Sequence, residues 1–165
     1  MASILQYLGL RRRVSLTVPG AIASTQANLR TALGGDIVLS GSWQPTRRYW
    51  GQLSSSGTLT LHGPRGHRQF CFLTRGRLQP GLNPHETQLA ATITLGWFSE
   101  GQLLGAIAIL VIVLPLMVGK TSLLALPLFL GFLYAMTQWH FHHYSREIKT
   151  LLRDRMANGP ASTQP

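Results

Sequence analysis

The sequence predicts a small α+β domain followed by a transmembrane helical hairpin. Three observations carry this. Residues 14–97 alternate polar and apolar side chains with period two. One helical pattern interrupts that alternation near its start. Two uncharged apolar runs then follow each other between Gln102 and Trp139.

The strands come first. "VSLTV" sets Val14, Leu16 and Val18 opposite Ser15 and Thr17, and "TLTLH" sets Leu59 and Leu61 opposite Thr58, Thr60 and His62. "RQFCFLTRGRL" puts Phe70, Phe72, Thr74 and Leu78 on one side, with Cys71, Leu73, Arg75 and Arg77 on the other. "TQLAATITLGW" aligns Leu89, Ala91, Ile93, Leu95 and Trp97, and "RRYWGQL" is a shorter candidate. This is the pattern of half-buried strands. Turn residues divide them at Ser54–Gly57, Gly63–Gly66 and Pro80–Pro84.

The helix that interrupts them has "QANLRTAL" as its body. Ser24 or Thr25 is its expected cap and Gly34-Gly35 its end. Ile22, Leu29 and Leu33 form its apolar side. A short strand is expected near Ile37–Leu39, giving the order strand, helix, short strand, meander of about four strands. A sheet with one apolar face must cover that face. The helix is one cover. The segment "SREIKTLLRDRMAN", with Ile148, Leu151, Leu152 and Met156 on one broad side, is another.

The apolar runs span about 102–119 and 122–139. At about 1.5 Å per residue each reaches roughly 25–27 Å, near the ~30 Å hydrocarbon core. Trp97, Trp139 and Tyr144 are placed to sit at the membrane interfaces. Ten arginines precede the hairpin, four basic residues follow it, and only Lys120 lies in its turn. The positive-inside rule then puts both termini in the cytoplasm. The expected division is a cytoplasmic domain over 1–100, a hairpin over 101–140, a juxtamembrane helix over 141–157 and a disordered tail over 158–165. The expected location is a bacterial inner membrane, or a thylakoid membrane in a photosynthetic bacterium. "RRRVSLTVPGAIASTQA" imitates an export signal, but its apolar part is short and carries Pro19-Gly20. "GKTS" at Gly119 imitates a P-loop ending, but Leu114 stands where that motif needs glycine.

The layout resembles a set of bacterial membrane proteins of unassigned activity, through "FCFLTRGRLQP" (Phe70–Pro80) and the following strand that leads into the apolar run. The resemblance implies a fold and brings no activity with it. The strand–helix–meander order is also similar to part of a START-like ligand-binding fold.

Three sets of residues bear on function. His140, His143 and Glu147 share one helix face, a set that could ligate a metal ion or support haem, while His142 points away. The bland alternative is that these rings decorate a membrane interface. Arg47, Arg48, Arg65, Arg68, Arg75 and Arg77 lie on or near neighbouring strands and suit contact with phosphate or carboxylate groups. The net charge of +10 points the same way, towards an anionic partner. Catalysis is not indicated. There are only five acids, no two spaced as an acid–base pair, and the single thiol, Cys71, lies between two phenylalanines. The sequence therefore predicts a non-catalytic accessory, assembly or adaptor protein. Its expected partners are the lipid bilayer and a larger membrane protein complex or further copies of itself. Nucleic acid is disfavoured by the absence of a recognition motif. Metal or haem binding, and a lipid or small-ligand module, are the alternatives.

Overall fold

The computed structural model describes residues 9–41, 44–65, 70–83, 85–118 and 122–158. Six strands form one antiparallel sheet: β1 (Arg11–Pro19), β2 (Ile37–Gly41), β3 (Gln44–Leu53), β4 (Thr58–Arg65), β5 (Phe72–Pro80) and β6 (Glu86–Leu95). Their order across the sheet is β1-β6-β5-β4-β3-β2. The first strand thus pairs with the last, from Arg11↔Thr94 to Pro19↔Glu86. Helix α1 (Ile22–Leu33) carries the chain from one edge of the sheet to the other. Helices α2 (Trp97–Val118) and α3 (Ser122–Asn158) follow.

The predicted meander, helix and short second strand are all present. Two boundaries differ. β1 begins at Arg11, so the three arginines belong to the strand. α1 begins at Ile22 rather than after Ser24. Ala21 precedes it without a side-chain cap, and Ser24 Oγ instead donates to the Ala21 carbonyl at 2.7 Å from within the first turn.

The period-two pattern sets the inner face. Leu16, Leu89 and Leu78 are paired across three strands, as are Ile93, Thr74 and Leu61. All six are buried. α1 covers part of this face through Thr25, Leu29 and Leu33. The second half of α3 covers the rest, burying Phe141, Tyr144, Ile148, Leu151, Leu152 and Met156 in one continuous core. Fully burying a side chain of this size contributes about 1.5–3 kcal/mol. The two covering helices also meet each other, where Asn28 Nδ2 donates to the Met156 carbonyl.

The expectation of a transmembrane hairpin is overturned here. Among the described residues, no helix is long and apolar enough to cross a membrane. The physical reason lies at the base of the two helices. α2 is anchored to the sheet through its first turn: the Cys71 N–H donates to Ser99 Oγ at 2.8 Å, the Gly96 N–H to the Cys71 carbonyl at 2.8 Å, and Leu103 is buried. α3 is committed to the domain from Thr137 onward. The apolar stretches that remain, Leu104–Val118 and Ser122–Met136, extend roughly 22 Å each, short of the ~30 Å hydrocarbon core. The expected integral-membrane location with two spans and cytoplasmic termini falls with them. The separate juxtamembrane helix is also corrected, since α3 runs unbroken from Ser122 to Asn158. α2 packs against the first half of α3, and Ile109, Ile112, Leu116, Leu128 and Phe132 remain exposed on the pair. A crevice of about 230 Å³ lies at its base, between Leu10, Leu103, Ile107, Leu133 and Tyr134. The turn between the helices and the tail from residue 159 lie outside the described residues.

One glycine is decisive for the sheet. Gly63 has φ +140°, and a Cβ there would lie 2.4 Å from Tyr49 Cδ1. The backbone must pass close under the Tyr49 ring, and only glycine permits it. Gly63→Ala is therefore expected to lower stability by about 2 kcal/mol or more. Urea unfolding followed by circular dichroism checks this; an unchanged midpoint would mean that the ring moves aside freely.

Candidate functional site

Two polar assemblies stand out, one on each side of the sheet. The inner one joins β3 to α3. Along β3, residues 47, 49 and 53 face inward and 48 and 50 face outward, as period two requires. Arg47 is consequently buried, and its guanidinium forms an ion pair with Glu147 of α3. Tyr49 Oη donates to the other carboxylate oxygen at 2.7 Å. Burial, reinforced by the Glu147 carboxylate, pushes the Tyr49 phenol far above its usual range, so it remains a donor. At the opposite edge, Arg12 reaches α3 by donating to Ser145 Oγ at 3.0 Å, with His142 Nδ1 3.5 Å away.

This arrangement reassigns several predicted residues. Glu147 is engaged by Arg47 and Tyr49, and His143 Nε2 lies 4.0 Å from it. His140 stacks on Tyr144 and meets Trp139 and Phe70 edge-on. Among the described residues, no three His, Cys, Asp or Glu side chains come together as a metal-binding group. Tyr144, expected at a membrane interface, is buried against Phe72. Trp139 is exposed and stacks on His143. Trp97 opens α2, with its side chain outside the described residues. Cys71 is half-buried, and burial raises its thiol pKa, which disfavours the nucleophilic thiolate.

The outer assembly is the uncovered face of the sheet. Arg11, Arg13, Arg48, Arg65, Arg75 and Arg77 are all exposed. Arg13, Thr92, Arg75, Thr60 and Gln52 form one row across five strands. Two strand spacings separate Arg13 from Arg75, roughly 10 Å. Arg77 lies two residues further along β5. Among the described residues the strands put one carboxylate on this side, Glu86 at the end of β6, where it accepts a bond from Asn83. Asp36 borders the face in the loop before β2. Of the six arginines singled out from sequence, Arg48, Arg65, Arg75 and Arg77 share this face. Arg47 is on the other side, and Arg68 lies outside the described residues. Arg11 and Arg13 were missed. Arg13 was legible, since it continues the alternation of Ser15 and Thr17; a strand opened at Val14 stops one residue short of it.

The comparisons add little to this geometry. The chain matches no protein-family model, and no curated protein matches it. Among solved structures it is similar to a protein of Nitrosospira multiformis, at 11% identity and a TM-score of 0.34, over 52% of this chain and 78% of that one. It is also similar to a Thermobifida fusca protein solved by solution NMR, at 11% identity and a TM-score of 0.31, over 57% and 80%. Likeness this low assigns neither fold nor function.

The inner clamp makes a sharp energetic prediction. Glu147→Leu alone leaves Arg47 buried without its counter-charge and is expected to cost about 3–5 kcal/mol, whereas Arg47→Met with Glu147→Leu recovers most of the loss. Chemical denaturation of the two singles and the double checks the cycle; additive losses would mean that the pair does not couple. A second prediction concerns pH. Burial, followed by the neighbouring His143, lowers the His140 pKa below its ordinary value of 6.5. The folded state then binds fewer protons than the unfolded state, so this contribution is fully present above about pH 6.5 and is lost as pH falls below it. His140→Gln should flatten the decline in Tm between about pH 7 and 5; an unchanged slope would remove His140 from the account.

Proposed function

We infer that the protein is a non-catalytic docking protein whose basic outer sheet face binds an acidic surface of a partner protein. The observation that carries this reading is the sidedness of the sheet. One face is filled by α1 and α3. Among the described residues, the other presents six arginines, with a single carboxylate at its end and one at its border. Like charges across neighbouring strands repel, so such a face costs stability by itself and is relieved when opposite charge docks on it. Arginine favours this use, because its planar fork binds carboxylates in pairs of hydrogen bonds.

The reading keeps the adaptor role expected from sequence and moves its surface. Arg13, Arg75 and Arg77 form the centre of the contact and Arg48 its margin, while Arg47 works within the fold. His140 and His143 belong to α3, on the far side of the sheet, and take no part.

The direct test is native mass spectrometry of the protein purified from its source. A stoichiometric protein partner is expected at low salt. It should be lost in the Arg75→Glu, Arg77→Glu double variant and retained when His140 and His143 become alanine. Affinity should also fall at least about tenfold between roughly 50 and 300 mM salt. A partner that stays bound after charge reversal would contradict the assignment of the surface.

A further inference from the structure

At one corner of the outer face the sheet departs from regular pairing. Between Arg48↔Arg65 and Trp50↔His62 the register shifts by one residue, a β-bulge in β4. The consequence follows from parity. Leu59, Leu61 and Gly63 are buried at odd positions, and a regular strand would send Arg65 inward as well. The bulge reverses the phase and puts Arg65 on the outer face, directly opposite Arg48. Two guanidinium groups directly opposite each other are unfavourable by themselves.

The surrounding side chains hold this arrangement. Trp50 and His62 stack nearly parallel, with ring centroids 5.4 Å apart. The Arg65 guanidinium carbon lies 5.8 Å from the centre of the Trp50 ring, within cation–π range. Arg65 is thus set by an aromatic neighbour that is itself set by a second ring. Asp36, Arg48, Trp50 and Arg65 line a cleft of about 580 Å³, within the size range of small-molecule sites.

We propose that this cleft binds a phosphate group, either as the free anion or on a phosphorylated side chain. The two arginines supply charge and bidentate hydrogen bonding for a tetrahedral oxyanion. Asp36 supplies the selectivity. A phosphate group with its second pKa near 6 still carries an O–H in roughly a tenth of molecules at pH 7, and a carboxylate beside it accepts that hydrogen bond and favours the protonated form. Sulfate has no such proton and meets Asp36 as a like charge. The site goes beyond the docking surface proposed above and does not need Arg75 or Arg77.

The test is calorimetric titration of the full chain with inorganic phosphate, sulfate and a phosphoserine peptide, in a buffer free of both ions. Phosphate is expected to bind at least about tenfold more tightly than sulfate, since only phosphate can donate a charge-assisted hydrogen bond to the Asp36 carboxylate. Arg48→Ala and Arg65→Ala should each weaken phosphate at least about tenfold, and Asp36→Asn should bring the two anions to within about threefold. The Arg75→Glu, Arg77→Glu variant should bind phosphate as the wild type does, which separates this site from the docking face. A peptide that binds more tightly than phosphate identifies a phosphorylated side chain as the source; equal binding identifies the free anion. Circular dichroism confirms that each variant is folded, and Arg65→Lys, which keeps the charge but loses the fork, should fall between wild type and alanine. Equal affinity for phosphate and sulfate, or titrations unmoved by Arg48→Ala and Arg65→Ala, would overturn the proposal.

Discussion

The structure depends on the need to cover one face of a six-stranded sheet. That face carries Leu16, Leu61, Phe72, Leu78, Leu89 and Ile93, and it cannot remain in water. α1 is twelve residues long and cannot cover it alone. The second half of α3 completes the layer, from Phe141 to Met156. The Arg47–Glu147–Tyr49 clamp fixes where that helix lies, because a buried guanidinium tolerates little displacement from its carboxylate. The remaining features follow from this closure.

Closure sets the surroundings of the histidines. Glu147 is used to bind the helix to β3, and the flanking rings of Phe141 and Tyr144 are packed on Phe72. Closure also accounts for the corrected hairpin. Residues needed to lengthen two apolar helices into spans, Ser99 and Leu103 at one end and Thr137 and Phe141 at the other, are buried in the domain. What remains is a shorter apolar pair with several exposed side chains. With the inner face filled, charge is left to the outer face, where the arginines and the Trp50–His62 pair stand without a covering element.

Much of the sheet was legible because strand parity is a strong signal. The inner and outer sets of β1, β4, β5 and β6 follow from alternation alone, as does the apolar side of α1. The sequence also marks Ile148, Leu151, Leu152 and Met156 as a second cover for the sheet, which is their role. The failures have identifiable causes. A continuous apolar run looks the same whether lipid or protein surrounds it, so hydropathy could not show that the ends of each run are spent on the domain. Arg47 was grouped with Arg48 by adjacency, although adjacent strand residues face opposite ways. The alternation of Arg47, Tyr49 and Leu53 in "RRYWGQL" carried the correct answer. The bulge that turns Arg65 outward leaves only a weak mark, the Gly63-Pro64 pair, and its effect depends on a partner strand.

Hydrogen–deuterium exchange on the intact chain tests the central claim most directly. If α3 closes the sheet, the amides of Phe141–Met156 should be protected as strongly as those of β5 and β6 and lose protection together with them in mild denaturant. Rapid exchange across Phe141–Met156 while the central strands stay protected would contradict the account, because the sheet would then be folded without its cover.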